Sequence, residues 1–360
     1  MRRDILRTNT SGGRTKRRAT HPPSSANRNT VYSMSSATSR PVRLALVVLA
    51  GLATVTASAQ PADPSAFSFL RIEPSARAAA LGGSFAAIAD GDINAFFYNP
   101  ALITSVVDGS LSLSYLNHVS DINAGFVSYG YQRGNVATFA AGIRYLNWGT
   151  VEGADETGEP TGTFGAGDVA LTVGAARAAT DRVRYGANIH FIHSAVARFN
   201  ASALAADFGV VYHDAERRVV VGVSVNNLGV SLSSLGEQRD DLPIDVRVAV
   251  STRFSHLPLL VSLTGYNLHD LDPAFDDATV LDNILYHVAA GGEFQFSPAF
   301  NIRFGYNHRR HDELRSKPRL DFAGVSLGVG IQVRRFKFDY SHSSWSELGG
   351  LNQLTVGTTL

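Results

Sequence analysis

Cysteine is absent from all 360 residues. That excludes disulfides, thiolate metal sites, a cysteine nucleophile and a lipid anchor on an N-terminal cysteine. Charge is scarce too: 18% of residues are Asp, Glu, Lys or Arg, against about 25% in ordinary soluble domains. Beyond residue 59 the lysines are Lys317 and Lys337 alone. Yet no apolar run reaches the roughly 20 residues that a membrane helix requires. The chain is poor in charge without reading as an α-helical membrane protein.

The near-neutral total hides an asymmetry. Residues 1–59 hold ten Lys or Arg and one acid, Asp4, so the remainder carries a net charge of −8. An acidic body is poorly suited to neutralising phosphates, and nucleic-acid binding is not expected. Residues 44–57, LALVVLAGLATVTA, follow Arg40 and Arg43 and end at Ala57-Ser58-Ala59. A basic flank, a short apolar run and a small-x-small site predict a secretory signal peptide over 34–59, with Gln60 as the first mature residue. Met34 would itself begin a signal peptide of ordinary length, so 1–33 reads as an over-extended or basic leader.

From residue 110 to 360 the sequence alternates with period two. Val325, Leu327, Val329, Ile331 and Val333 interleave with Ser326, Gly328, Gly330 and Gln332. Side chains on a strand point to alternate faces, so each such segment has one apolar face and one small or polar face. Fourteen segments begin near 110, 122, 135, 166, 182, 200, 217, 243, 258, 286, 299, 319, 335 and 350. Most have the length of a tilted membrane strand. Short spacers alternate with longer ones, at 118–121, 148–165, 195–199, 228–242, 269–285, 310–318 and 346–349. Aromatic residues such as Tyr115, Tyr145, Trp148, Tyr212, Phe254 and Tyr340 gather toward segment ends, as at a bilayer interface. The expectation is an all-β, antiparallel outer-membrane barrel of about 14 strands in the outer membrane of a diderm bacterium. A soluble sandwich is the rival, but its polar faces carry Lys, Glu and Thr, where these carry Gly, Ala, Ser and Asn.

The face opposite the apolar one also carries Arg144, Arg184, Asp207, Asp245, Arg247, Glu293, Arg303, Lys337 and Asp339. A charge on the lipid side costs about 2–4 kcal/mol at mid-bilayer, so these side chains should face the lumen. Their mixed signs suit a structural ion-pair network better than a selective pore. Residues 60–109 precede the first strand and suit a plug with little helix. Ser75–Leu81 could form a short helix stopped by Gly82-Gly83. Asp90-Gly91-Asp92 reads as a turn; it lacks the distal Glu of a calcium loop, and no metal or other cofactor is expected.

Catalysis is not expected. His193-Ser194 and His342-Ser343 are adjacent in sequence and so face opposite sides of a strand. Partner contacts would lie on the longer loops. The acidic ones hold Glu152, Asp155, Glu156, Asp270 and Asp276. The basic one holds His308, Arg309 and Arg310, before Glu313, and suits an acidic partner or a lipopolysaccharide phosphate.

SARAAALGGSFAAIADGDINAFFYNPAL resembles the N-terminal signature of the PorV/PorQ family, barrels of the type IX secretion system within the wider FadL-like group of fourteen-stranded barrels. GGEFQFSPAFNIRFGYNHRRHDEL and FAGVSLGVGIQVRRFKFDYSHSSWSELGGLN resemble its PorQ branch in particular. The resemblance covers nearly all of 65–360. It implies a non-enzymatic barrel in Bacteroidota or their relatives. Such a barrel anchors a PorZ-like surface protein, in a complex with the sortase PorU and with PorV that attaches cargo to lipopolysaccharide. It supplies no catalytic residues. The alternative is a FadL-like transporter of hydrophobic small molecules, which would need an apolar pocket in the lumen and a path past the plug.

Overall fold

The alternation closes into a barrel. The structure, a computed structural model, describes residues 65–118, 122–154, 157, 159–236, 239–271, 278–316, 321–346 and 349–360. The leader and signal segments, and Asp155, Glu156 and Asp276, lie outside these. The strands are β1 Ser110–Asn117, β2 Asn123–Arg133, β3 Ala137–Ala154, β4 Pro160–Ala178, β5 Val183–Val196, β6 Phe199–Asp214 and β7 Val219–Ser233. They continue as β8 Asp245–Arg253, β9 Leu259–Gly265, β10 Val288–Ser297, β11 Phe300–Asn307, β12 Val325–Val333, β13 Phe336–Ser344 and β14 Gly350–Thr359. Each pairs antiparallel with its neighbours in sequence, and β1 pairs with β14 from Ser110↔Thr359 to Asn117↔Asn352. Closure leaves the ring itself without an edge strand. Among the described residues three short α-helices accompany the strands: α1 Ala76–Ala80, α2 Val280–Tyr286 and α3 His308–Leu314.

Two strand starts differ from the period-two reading. β4 begins at Pro160 rather than near 166, because β3 and β4 continue as a hairpin with register shifts at Asn147/Thr150 and Gly153/Ala154. β12 begins at Val325 rather than near 319. The period itself holds where the wall separates two environments. On β12, Leu327, Val329 and Ile331 are exposed outward while Ser326, Gly328 and Gly330 are buried inward. Exposed apolar residues recur on every strand, which is the belt a bilayer requires. Short turns and both ends of the strand sequence lie at one end; long loops lie at the other, the outer end of such barrels.

Residues 65–109 lie inside the wall. Four turns of this segment begin at a side-chain cap: Ser75 accepts from Ala78 N, Asp92 from Asn94 N, Asn99 from Ala101 N and Thr104 from Val106 N. Gly82 and Gly83, both at positive φ, end α1. Two apolar clusters result. Toward the outer end Phe67, Phe69 and Leu70 pack against Leu116, Phe126, Leu146 and Ile192 of the wall. Toward the inner end Leu81, Phe85, Ile88, Phe96, Phe97, Leu102, Ile103 and Val107 pack against Ala140, Ala176, Val211, Val220 and Leu260. The segment therefore descends the lumen from the outer end to the inner end before Gly109 hands over to β1, where its carbonyl accepts from Leu360 N at 2.9 Å.

Candidate functional site: the filled lumen and its outer cap

Close approach of the segment to the wall depends on what the wall lacks. A Cβ on Gly305 would meet the backbone of Leu81 and Gly82, and one on Gly222 would meet the carbonyl of Ala86. Similar contacts occur at Gly130, Gly142, Gly186, Gly209, Gly291 and Gly328, so eight strands offer the plug a side-chain-free surface.

The charged residues of the inward face then clamp it. Arg77, on α1, reaches Asp90 at 2.6 Å, Asp92 at 3.2 Å and Glu293 at 2.8 Å. Glu293 is shared with Arg303 at 2.6 Å, and Arg303 reaches Asp339 at 2.6 Å. Lys337 Nζ lies 3.7 Å from Asp92 and 3.5 Å from Asp339. Arg184 donates to the Ile103 carbonyl at 2.7 Å and Arg144 to the Leu70 carbonyl at 2.8 Å. Asp207 accepts from Asn188 and from the Asn227 backbone, with His190 Nε2 2.7 Å away. Arg247 pairs with Asp245 at 2.5 Å and lies over the Tyr98 ring. Eight of the nine charged residues read from the inward face therefore contact the plug or one another, and Asp207 is held by other polar groups of the wall. Arg77, Asp90 and Asp92 of the plug complete their network. Asp90 and Asp92 stand around a guanidinium.

The inward face is not wholly polar. Leu116, Phe126, Leu146 and Ile192 form an apolar patch in the outer half, which corrects the expectation of a lumen lined by Gly, Ser, Asn and charge alone. Phe67, Phe69 and Leu70 of the chain itself occupy that patch.

The outer cap holds the loop residues. Glu152 is exposed on the β3–β4 hairpin, and Asp270 follows β9 half-buried. The stretch expected to be a basic loop is the helix α3, capped by Asn307, whose side chain accepts from Arg310 N. His308 sits 3.3 Å from Asp312, and Arg309 pairs with Glu313 at 2.7 Å while lying over Tyr286 of α2. Arg310 turns inward to Glu73 of the plug at 2.6 Å. Burial alone would lower the pKa of its guanidinium, but Glu73 more than offsets that and raises it. α2 has no buried residue, and its Val280, Leu281 and Ile284 are 77%, 62% and 59% exposed. Between plug and cap lies a cavity of about 250 Å³ that brings together Arg144, Asp245, Arg247, Arg309, Arg310 and Glu313.

Histidine and serine do meet across strands: His193 Nδ1 lies 2.9 Å from Ser202 Oγ, from β5 to β6. Among the described residues no carboxylate is hydrogen-bonded to that imidazole. No cluster of metal-ligating side chains occurs among the described residues.

No protein-family model and no curated protein matches the sequence. Solved structures do match in shape. The toluene transporter TodX of Pseudomonas putida is 13% identical, with a TM-score of 0.51 over 79% of this chain and 96% of that one. A TodX monoaromatic hydrocarbon channel carrying the deltaS2 mutation is 13% identical, with a TM-score of 0.52 over 80% and 97%. A FadL homologue of Pseudomonas aeruginosa is 11% identical, with a TM-score of 0.47 over 79% and 98%. At such identities the likeness is one of fold: the closed antiparallel barrel shared with the TodX structures.

Proposed function

We propose that the chain is a non-enzymatic outer-membrane scaffold that holds a surface protein through its outer cap, as a component of a type IX secretion system. The observation that carries this reading is α2. A seven-residue helix built on a capping box presents Val280, Leu281 and Ile284 to the outside, beside the charged α3. Exposed apolar side chains rimmed by charge suit a protein partner. The resemblance of 65–360 to the PorV/PorQ family supplies the identity of that partner: a PorZ-like protein, with PorU- and PorV-like members of the same complex and lipopolysaccharide nearby. The source would then be a member of the Bacteroidota or a relative.

The second reading, uptake of hydrophobic small molecules, is favoured by the shape shared with the TodX structures. Against it, the apolar patch of the outer lumen is filled by Phe67, Phe69 and Leu70. The remaining cavity is lined by five arginines.

The test uses the tagged full-length protein extracted from its own outer membrane. Val280→Asp with Ile284→Asp should abolish co-purification of a large surface β-protein and leave the barrel folded. Co-purification unchanged by the double substitution, or a wild-type barrel recovered alone while its deletion impairs growth on hydrocarbons, would favour uptake.

A further inference from the structure

The cavity at the outer end of the lumen carries an excess of positive charge. Arg71, Arg144, Arg247, Arg309 and Arg310 line it, against Glu73, Asp245 and Glu313. Each of those carboxylates is already engaged: Glu73 with Arg310 at 2.6 Å, Asp245 with Arg247 at 2.5 Å and Glu313 with Arg309 at 2.7 Å. Among the described residues no ion pair reaches Arg71 or Arg144. Arg71 is exposed to the cavity mouth, whereas Arg144 is 4% exposed. One Arg144 nitrogen donates to the Leu70 carbonyl and its guanidinium lies 4.3 Å over Phe97, but its Nε–H is buried without an acceptor.

Two other donors on the same lining share that condition. The Tyr98 hydroxyl and the Trp345 Nε1–H are both buried with no hydrogen-bond partner. The arginine and tryptophan N–H groups can only donate, and the tyrosine O–H can donate. Buried donors without an acceptor are costly. A lining with unpaired arginines and spare donors suits a group that offers only acceptors and carries negative charge.

We propose that this cavity is a binding site for a small oxyanion, a phosphate or carboxylate group, held by Arg71 and Arg144 with Tyr98 and Trp345 as neutral donors. The planar fork of arginine matches both groups. The cavity, about 250 Å³, is many times the volume that holds one water, and it admits a phosphate monoester or a tricarboxylate. The site does not depend on either functional reading: a scaffold could read a phosphate of the surrounding lipid there, and a transporter could select an anion.

Trp345 provides the readout. The chain has two tryptophans, and Trp148→Phe leaves Trp345 alone. In detergent, inorganic phosphate or citrate should change the fluorescence of that full-length variant saturably, while glucose and sodium chloride at equal ionic strength should not. Arg71→Gln should raise the half-saturating concentration roughly tenfold, the loss of one charge-assisted contact. Arg144→Lys keeps the charge but loses the fork and should also weaken binding. Should the buried Arg144 variant fail to fold, the exposed Arg71 variant, checked by circular dichroism, decides alone. Competition by phosphorylated lipopolysaccharide would assign the anion to a lipid headgroup; failure to compete would assign it to a free solute. No saturable response to either anion, or a response that Arg71→Gln leaves unaltered, overturns the site.

Discussion

Arg77 shows how one side chain can fix a segment within a wall. It is 4% exposed and faces three carboxylates, two from the plug and one from β10. Removing it would leave Asp90 with Arg253 at 3.9 Å, Asp92 with Lys337 and Glu293 with Arg303. Breaking a buried pair in this way costs about 3–5 kcal/mol, because the remaining charges cannot return to water. Arg77→Ala should therefore lower the thermal midpoint of the detergent-solubilised barrel clearly, as followed by circular dichroism. Arg182→Ala, at an exposed pair with Glu216 3.4 Å away, should leave it unmoved. Equal midpoints for the two variants would remove the clamp from the account. The inward charges were legible in the sequence, since a charge on a period-two strand with an apolar face has one side to go to. Their partners were not. Arg77, Asp90 and Asp92 lie where no period exists, and their meeting depends on how a capped turn folds back on a helix of five residues.

Among elements, the strands are legible in the sequence and α2 and α3 are not. The strands declare themselves because the wall divides lipid from lumen. Where both faces are wet the alternation stops, as over residues 162–165, which hides the true start of β4. The helices left a fainter trace. Thr279 accepts from Asp282 N, and Asp282 accepts from Thr279 N, a reciprocal capping box at the entry to α2. The Thr279 hydroxyl and backbone hold the Asp282 carboxyl below its ordinary pKa. A depressed pKa contributes stability above the unfolded value and loses it as pH falls through the folded one. Below about pH 4 the amides of 280–283 should exchange faster with solvent deuterium, and Asp282→Asn should show reduced acid sensitivity there. Exchange at 280–283 that is flat from pH 6 to pH 3, after correction for intrinsic rates, would exclude the cap as the anchor of α2.

At the scale of the molecule, the barrel is closed by contact rather than by narrowness. Gly305→Ala places a methyl against the backbone of Leu81 and Gly82, neither of which can rotate away. Gly125→Ala, at a wall position with nothing within 4 Å, adds the same methyl to open space. In planar bilayers the wild type and Gly125→Ala should carry no steady current, and Gly305→Ala should flicker open as the plug shifts. A silent Gly305→Ala barrel with an intact fold would mean that the plug yields without opening a path. The fourteen-strand closure was the most legible property of the sequence. The filling of the outer apolar patch by Phe67, Phe69 and Leu70 was the least, since three apolar residues in an aperiodic stretch carry no address.

The seam between β1 and β14 has a consequence for assembly. Residues 65–72 lie near the outer loops, yet Gly109 meets Leu360 at the opposite end. A chain so threaded cannot be inserted sideways once the ring is sealed. We expect the segment to lie in the curl of strands before Ser110 pairs with Thr359, so that the last hydrogen bonds of the wall enclose a part of the same chain.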